Sequence, residues 1–160
     1  MDTAEKFTVL GAGHGGKGMA AHLALMGADV ALWNRTFDHI AVIKKRGGIE
    51  LDSPEGGPKG FGKIPLVTSD MSEAIAHANV IMVVLPSSAH ADVARMAAPY
   101  LKDGQIVILH PGRTLGAIEF AKVMRDAGCT ADVTVAEAET FIYASRADGP
   151  AQARIFRIKE

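Results

Sequence analysis

Four residues, Gly11-Ala12-Gly13-His14, separate the apolar run Phe7 to Leu10 from a segment of helical periodicity that begins at residue 15. A connection this short leaves one geometry: the strand ends, the chain turns sharply, and the turn opens directly into a helix. Ala20, Leu23 and Ala24 make the apolar face of a helix over residues 15 to 26, and Gly27 is placed to end it in the left-handed conformation.

The turn itself reads Gly11-x-Gly13-x-x-Gly16. Gly11 permits the tight turn, Gly13 leaves backbone open to a close ligand, and Gly16 lets the helix lie tight on the strand. The uncompensated N–H groups and the dipole of the helix N-terminus favour a phosphate there. Gly11, Gly13, His14, Gly15 and Gly16 are therefore the candidate pyrophosphate cradle.

The pattern then repeats. Asp29 to Trp33 is a second strand, and Phe37 to Arg46 is expected as one helix with Ile40, Val42 and Ile43 apolar and Gly47-Gly48 ending it. The stretch DSPEGGPKGFGK lacks periodicity and reads as an exposed loop or hairpin. Pro65 to Val67 is a short strand, and Asp70 with Glu73 is a capping box for the helix MSEAIAHA. VIMVVLP reads as a central strand buried on both faces. Ser87 or Ser88 is expected to cap a helix whose face is Val93, Met96, Ala97, Tyr100 and Leu101, with Gly104 ending it. QIVILHPG is a further strand, followed by a helix striped by Ala117, Phe120, Ala121, Met124 and Ala127. DVTVAE, TFIYAS and ARIFRI are strands with no helix between them, expected as edge strands or as the lead into another unit. The expectation is an α/β fold: a doubly wound, mostly parallel sheet of Rossmann dinucleotide-binding type, covered on both faces, with extra strands near the C-terminus. The 160 residues predict a single domain, 1–160.

In such sheets the ligand lies beyond the C-terminal strand ends. The end of strand two is where an acid would accept hydrogen bonds from an NAD ribose, about 20 residues after the glycines. This chain has Asn34-Arg35-Thr36 instead. Arg35 would attract a 2′-phosphate, and Asn34 and Thr36 add neutral donors, so NADP(H) is the expected cofactor with NAD(H) as the alternative. Asp38 is expected in the first turn of the following helix. Leu85, Pro86, Ser87 and Ser88 lie where the ribose and nicotinamide would pass. Arg113, after Pro111-Gly112, stands as a candidate for a substrate carboxylate, with a solvated arginine as the alternative. Of Glu137 and Glu139, one is expected to face the cleft. His110, at a strand end, is the best histidine candidate, against a structural role.

Hydrophobic residues make up 48% of the chain, charged residues 22%, and the formal net charge is -1, which points away from nucleic acid and anionic membranes. No apolar run is long enough to span a bilayer, and the start lacks the form of a secretory signal. The lone Cys129 fits a reducing compartment, so the expected location is cytoplasmic. The histidines lack metal-ligand spacing, no metal is expected, and no triad or nucleophile elbow occurs.

Together VLGAGHGGKGMAAHLALMG, HPGRTLGAIEF and AEAETFIYASR resemble the N-terminal domain of the octopine/nopaline (opine) dehydrogenase family, across essentially the whole chain. The last two segments are the more specific. The resemblance implies cofactor binding at Gly11, Gly13 and Gly16, and a substrate cleft lined by Pro111 to Thr114 and the Glu137 region. It implies NAD(P)-dependent reductive condensation of an amino acid with a 2-oxo acid. It also implies that the catalytic histidine lies in a second, helical domain, so that no catalytic residue is expected here and the chain reads as a truncated, inactive part of a longer enzyme. Two alternatives stand: the cofactor domain of a 3-hydroxyacid or ketopantoate reductase type dehydrogenase, and a non-catalytic nucleotide sensor.

Overall fold

Residues 4–159 are described by a computed structural model. In chain order the elements are β1 (Lys6–Leu10), α1 (His14–Leu25), β2 (Asp29–Trp33), α2 (Ala41–Arg46), β3 (Gly48–Asp52), β4 (Gly60–Lys63), β5 (Leu66–Thr68), α3 (Met71–His77), β6 (Val80–Val83), α4 (His90–Ala97), β7 (Ile106–Leu109), α5 (Gly116–Asp126), β8 (Thr134–Glu137), β9 (Tyr143–Gly149) and β10 (Gln152–Ile158). Six strands form a sheet in the order β5-β2-β1-β6-β7-β8, with every pairing parallel. The order reverses at β1 and β6, and a crevice opens beyond their carboxyl ends. The apolar VIMV segment is central, as its composition predicts.

Two cores form, one on each face of this sheet. One joins α3, α4 and α5 to the sheet through Ile75, Ala94, Phe120 and Met124. The other contains Met19, Ala20 and Ala21 of α1 with Ile40 and Ile43, and also Ile49, Leu51, Ala153 and Ile155. Those last four belong to a second sheet, ordered β4-β3-β10-β9. Helix α1 is thus held between two sheets. Its small residues make this possible: a Cβ on Gly18 would already touch Ser145 and Ile155 at 3.5 Å.

Several expectations change in detail. The helix expected over Phe37 to Arg46 is broken into a 3-10 turn, Phe37–His39, and α2. Ile40 between them is fully buried with φ -118° and ψ -3°, so its anchoring in the core bends the chain. Val42 then points outward, 41% exposed. Pro65 precedes β5 rather than starting it. The stretch DSPEGGPKGFGK does form a hairpin, with β3 and β4 antiparallel. Asp70 Oδ1 accepts from the N–H groups of Ser72 and Glu73, but Glu73 does not reach back to Asp70; Thr68 Oγ1 accepts from Asp70 N–H and donates to Glu73. Neither Ser87 nor Ser88 caps α4, because both sit in a 3-10 turn, Ser87–Ala89, that makes no side-chain cap bond. Helix α4 stops at Ala97, well before Gly104, and leaves Tyr100 43% exposed. Ala127 lies just past α5 on the surface. Among the last strands, only β8 is an edge of the main sheet; β9 and β10 pair antiparallel and build the second sheet. The TFIYAS strand starts only at Tyr143.

Candidate functional site

The three motif glycines do different work. Gly11 has φ 111°, and a Cβ there would run into the Val84 carbonyl. A Cβ on Gly16 would overlap the Gly11 carbonyl, so the helix could not approach the strand. Gly13 is different: a Cβ there would meet nothing within 4 Å. Two glycines are required by the protein's own packing, while the third faces open space at the end of α1. That end carries no side-chain cap and no acid in its first turn. An uncapped helix terminus behind an open glycine is a cradle for a phosphate, and the residues present fit a dinucleotide pyrophosphate.

The loop is braced on both sides. Gly11 N–H donates to the Trp33 carbonyl at 2.8 Å, and Ala12 N–H donates to Asn34 Oδ1 at 3.2 Å. Asn34 Nδ2 in turn donates to the Thr36 carbonyl at 2.9 Å. Asn34 therefore ties the glycine loop to the turn after β2. On the other side His14 Nδ1 accepts from the Ala147 N–H of β9 at 2.8 Å, which leaves Nε2 carrying the proton of the neutral ring. Gly15 is backed by Phe141, whose ring lies 2.7 Å from where a Cβ would stand.

Beyond the strand ends, a cleft of about 180 Å³ brings the residues after β2 against the start of α4. Asn34, Arg35, Thr36 and His39 line one wall, and Leu85, Val93 and Met96 the other. The polar wall suits a sugar and its phosphate, and the apolar wall suits an aromatic base. Arg35 is exposed and has no carboxylate partner among the described residues. Pro86 and Ser87 are exposed in the turn just after Leu85.

A separate cavity of about 370 Å³ is lined by Arg113, Thr114, Glu137 and Glu139. Arg113 and Leu115 both have positive φ, 58° and 65°. Non-glycine residues held there are strained, and such strain is found at ligand-binding sites. Gly112 is required because any Cβ would overlap the Glu137 side chain. Glu137 Oε2 accepts from Ala117 N–H at 2.6 Å, so this carboxylate caps α5 as well as lining the cavity. His110 lies outside that lining. Both its ring nitrogens are buried without a partner, and burial pulls its pKa below the ordinary imidazole value.

Sequence reasoning missed His39, Phe141 and Lys17. Lys17 is 8% exposed, its Nζ donates to the Gly149 carbonyl, and burial lowers its pKa. None of the three carries a local sequence signal, since each is placed by the break at Ile40 or by the second sheet. Among the described residues no three His, Cys, Asp or Glu side chains cluster as a metal site, and no helix is long and apolar enough to cross a membrane.

Residues 6–112 match the family model for the NAD-dependent glycerol-3-phosphate dehydrogenase N-terminus. The opine dehydrogenase of Arthrobacter sp. (strain 1C) is 38% identical over 159 residues, which is 99% of this chain and 44% of that protein. The chain thus spans less than half the length of this relative. Octopine dehydrogenase in complex with NADH and agmatine superposes with a TM-score of 0.84 at 20% identity, over 97% of this chain and 40% of that one. Yersinopine dehydrogenase with NADP+ bound superposes with a TM-score of 0.79 at 18% identity, over 99% of this chain and 40% of that one. Across its whole length the chain is similar to part of an opine dehydrogenase, and it belongs to the NAD-dependent glycerol-3-phosphate dehydrogenase N-terminus family, a nicotinamide-dinucleotide-binding fold.

Proposed function

We propose that this chain is the NADP(H)-binding half of a cytoplasmic enzyme that reductively joins an amino acid to a 2-oxo acid. The observation that carries the cofactor reading is Arg35, unpaired and exposed in the cleft beside the glycine loop. A guanidinium there makes forked, charge-assisted contacts with a 2′-phosphate. Of the similar solved structures one holds NADH and another NADP+, and Arg35 is the feature that favours the second reading.

In this reading the N–H groups of Gly13, His14, Gly15 and Gly16 hold the pyrophosphate, and Leu85, Pro86 and Ser87 border the path of the sugar and nicotinamide. A nicotinamide dinucleotide held there would supply the hydride for the reduction. Arg113 holds a substrate carboxylate over the β7 end, and Glu137 keeps the loop in place through its bond to Ala117 N–H. The opine-type reading assigns the acid–base group to another domain of the enzyme, and gives these residues the work of binding and positioning.

Two measurements test the reading. Calorimetry on the chain should show NADPH binding roughly ten- to a hundredfold tighter than NADH, since a charged hydrogen-bonded contact contributes about 1.5–3 kcal/mol. Arg35→Ala should remove most of that difference, and equal affinities before mutation would refute the NADP assignment. The product of the complete gene should then oxidise NADPH only when an amino acid and a 2-oxo acid are both present. Oxidation driven instead by dihydroxyacetone phosphate would place the enzyme with the glycerol-3-phosphate dehydrogenases.

A further inference from the structure

The turn after β2 carries a second group into the Arg35 cleft. Thr36 O accepts twice, from Asn34 Nδ2 at 2.9 Å and from His39 N–H at 3.3 Å, and Ile40 N–H bonds Phe37 O at 2.8 Å. Ile40 is then locked into the core. The 3-10 turn is fixed at both ends, and His39 comes back to line the same cleft as Arg35 and Thr36.

A phosphate monoester carries a charge of about -1.5 to -2 near neutral pH. Arg35 supplies one positive charge. The carboxylate that lines the cleft is Asp92 of α4, already paired with Arg95 at 3.0 Å, while Asp38, next to His39 in sequence, does not line it. We infer that His39 is a second 2′-phosphate ligand, one that takes up a proton when the phosphate binds. The inference rests on the NADP(H) reading above and names a specificity residue for that same site. By linkage, protonation favoured in the complex makes NADP(H) binding tighten as pH falls, while NAD(H), lacking the phosphate, gains nothing at this position.

Calorimetry of NADP+ and NAD+ binding, at about pH 7 in buffers of different ionisation enthalpy, counts the protons exchanged. The unmutated chain should take up more protons with NADP+ than His39→Gln does. The variant should bind NADP+ roughly tenfold more weakly and NAD+ equally well. Because the phosphate also titrates, with a second pKa near about 6, only the difference between the two chains is read. A His39→Gln chain with the unmutated proton count overturns the inference, whatever its affinity. If Arg35→Ala abolishes the NADP+ preference while His39→Gln changes nothing, His39 alone is wrong. If the unmutated chain binds both cofactors equally, the NADP(H) reading falls and this inference with it.

Discussion

Gly13→Val separates the ligand's need for a glycine from the protein's own. Gly13 has φ -76° and ψ -166°, extended backbone open to a β-branched residue, and a Cβ meets no atom within 4 Å. Removing a glycine restricts the unfolded chain and stabilises by about 0.4–1 kcal/mol. Replacing glycine with an apolar residue at a helix N-cap costs a similar amount, about 0.5–1 kcal/mol. The two nearly cancel, so thermal unfolding should shift by no more than roughly 2–4 °C in either direction. The isopropyl group, however, fills the space before the α1 N-terminus where the pyrophosphate must reach the backbone. NADPH affinity should fall more than about a hundredfold, or at least 2.7 kcal/mol. Gly16→Ala is the contrast: its Cβ overlaps the Gly11 carbonyl, so that variant should lose stability as well as binding. The assay pairs circular dichroism melting with calorimetry. A folded Gly13→Val chain that binds NADPH normally would show that the pyrophosphate does not lie on this loop.

Other outcomes follow from packing and burial. Phe120 is fully buried between α5 and the sheet, so Phe120→Ala should cost about 3–5 kcal/mol in urea unfolding; a loss under about 1 kcal/mol would mean that this face is loosely packed. His110 is buried in the neutral form with its pKa depressed. The unfolded chain therefore binds this proton more readily, and stability present above about pH 6.5 is lost as pH falls below that value. His110→Asn should flatten that acid limb, and an unchanged limb would assign the effect to other groups.

The parallel sheet was legible because its strands are continuous apolar runs and its helices carry apolar stripes. Asp29–Trp33 and the glycine loop needed only local chemistry. Arg35 and Leu85, both singled out from local sequence, do line one cleft. What local pattern does not carry is long-range pairing. β3 and β10 are parallel partners about a hundred residues apart, Gln152 opposite Glu50, and nothing in either strand names the other. The consequences of that pairing stayed hidden with it: Ala147 holding His14, Phe141 against Gly15, and Lys17 buried under the hairpin. The capping reading at Ser87 failed for a local reason, because a 3-10 turn satisfied the backbone first. Glu137 gave the opposite case, with a residue proposed for ligand contact also serving as a cap.

The clamping of α1 between two sheets has a consequence for divergence. A Cβ on Gly16 would overlap the Gly11 carbonyl, one on Gly62 of β4 would overlap the Ala21 backbone, and one on Gly18 would already be in contact with Ser145 and Ile155. Moving or thickening this helix would therefore disturb the packing of both sheets. The residues from Arg35 to His39 lie exposed on a turn whose only core anchor is Ile40. Under the function proposed above, cofactor choice is written on a surface that can be rewritten one residue at a time, while the pyrophosphate cradle is tied to the packing of the core.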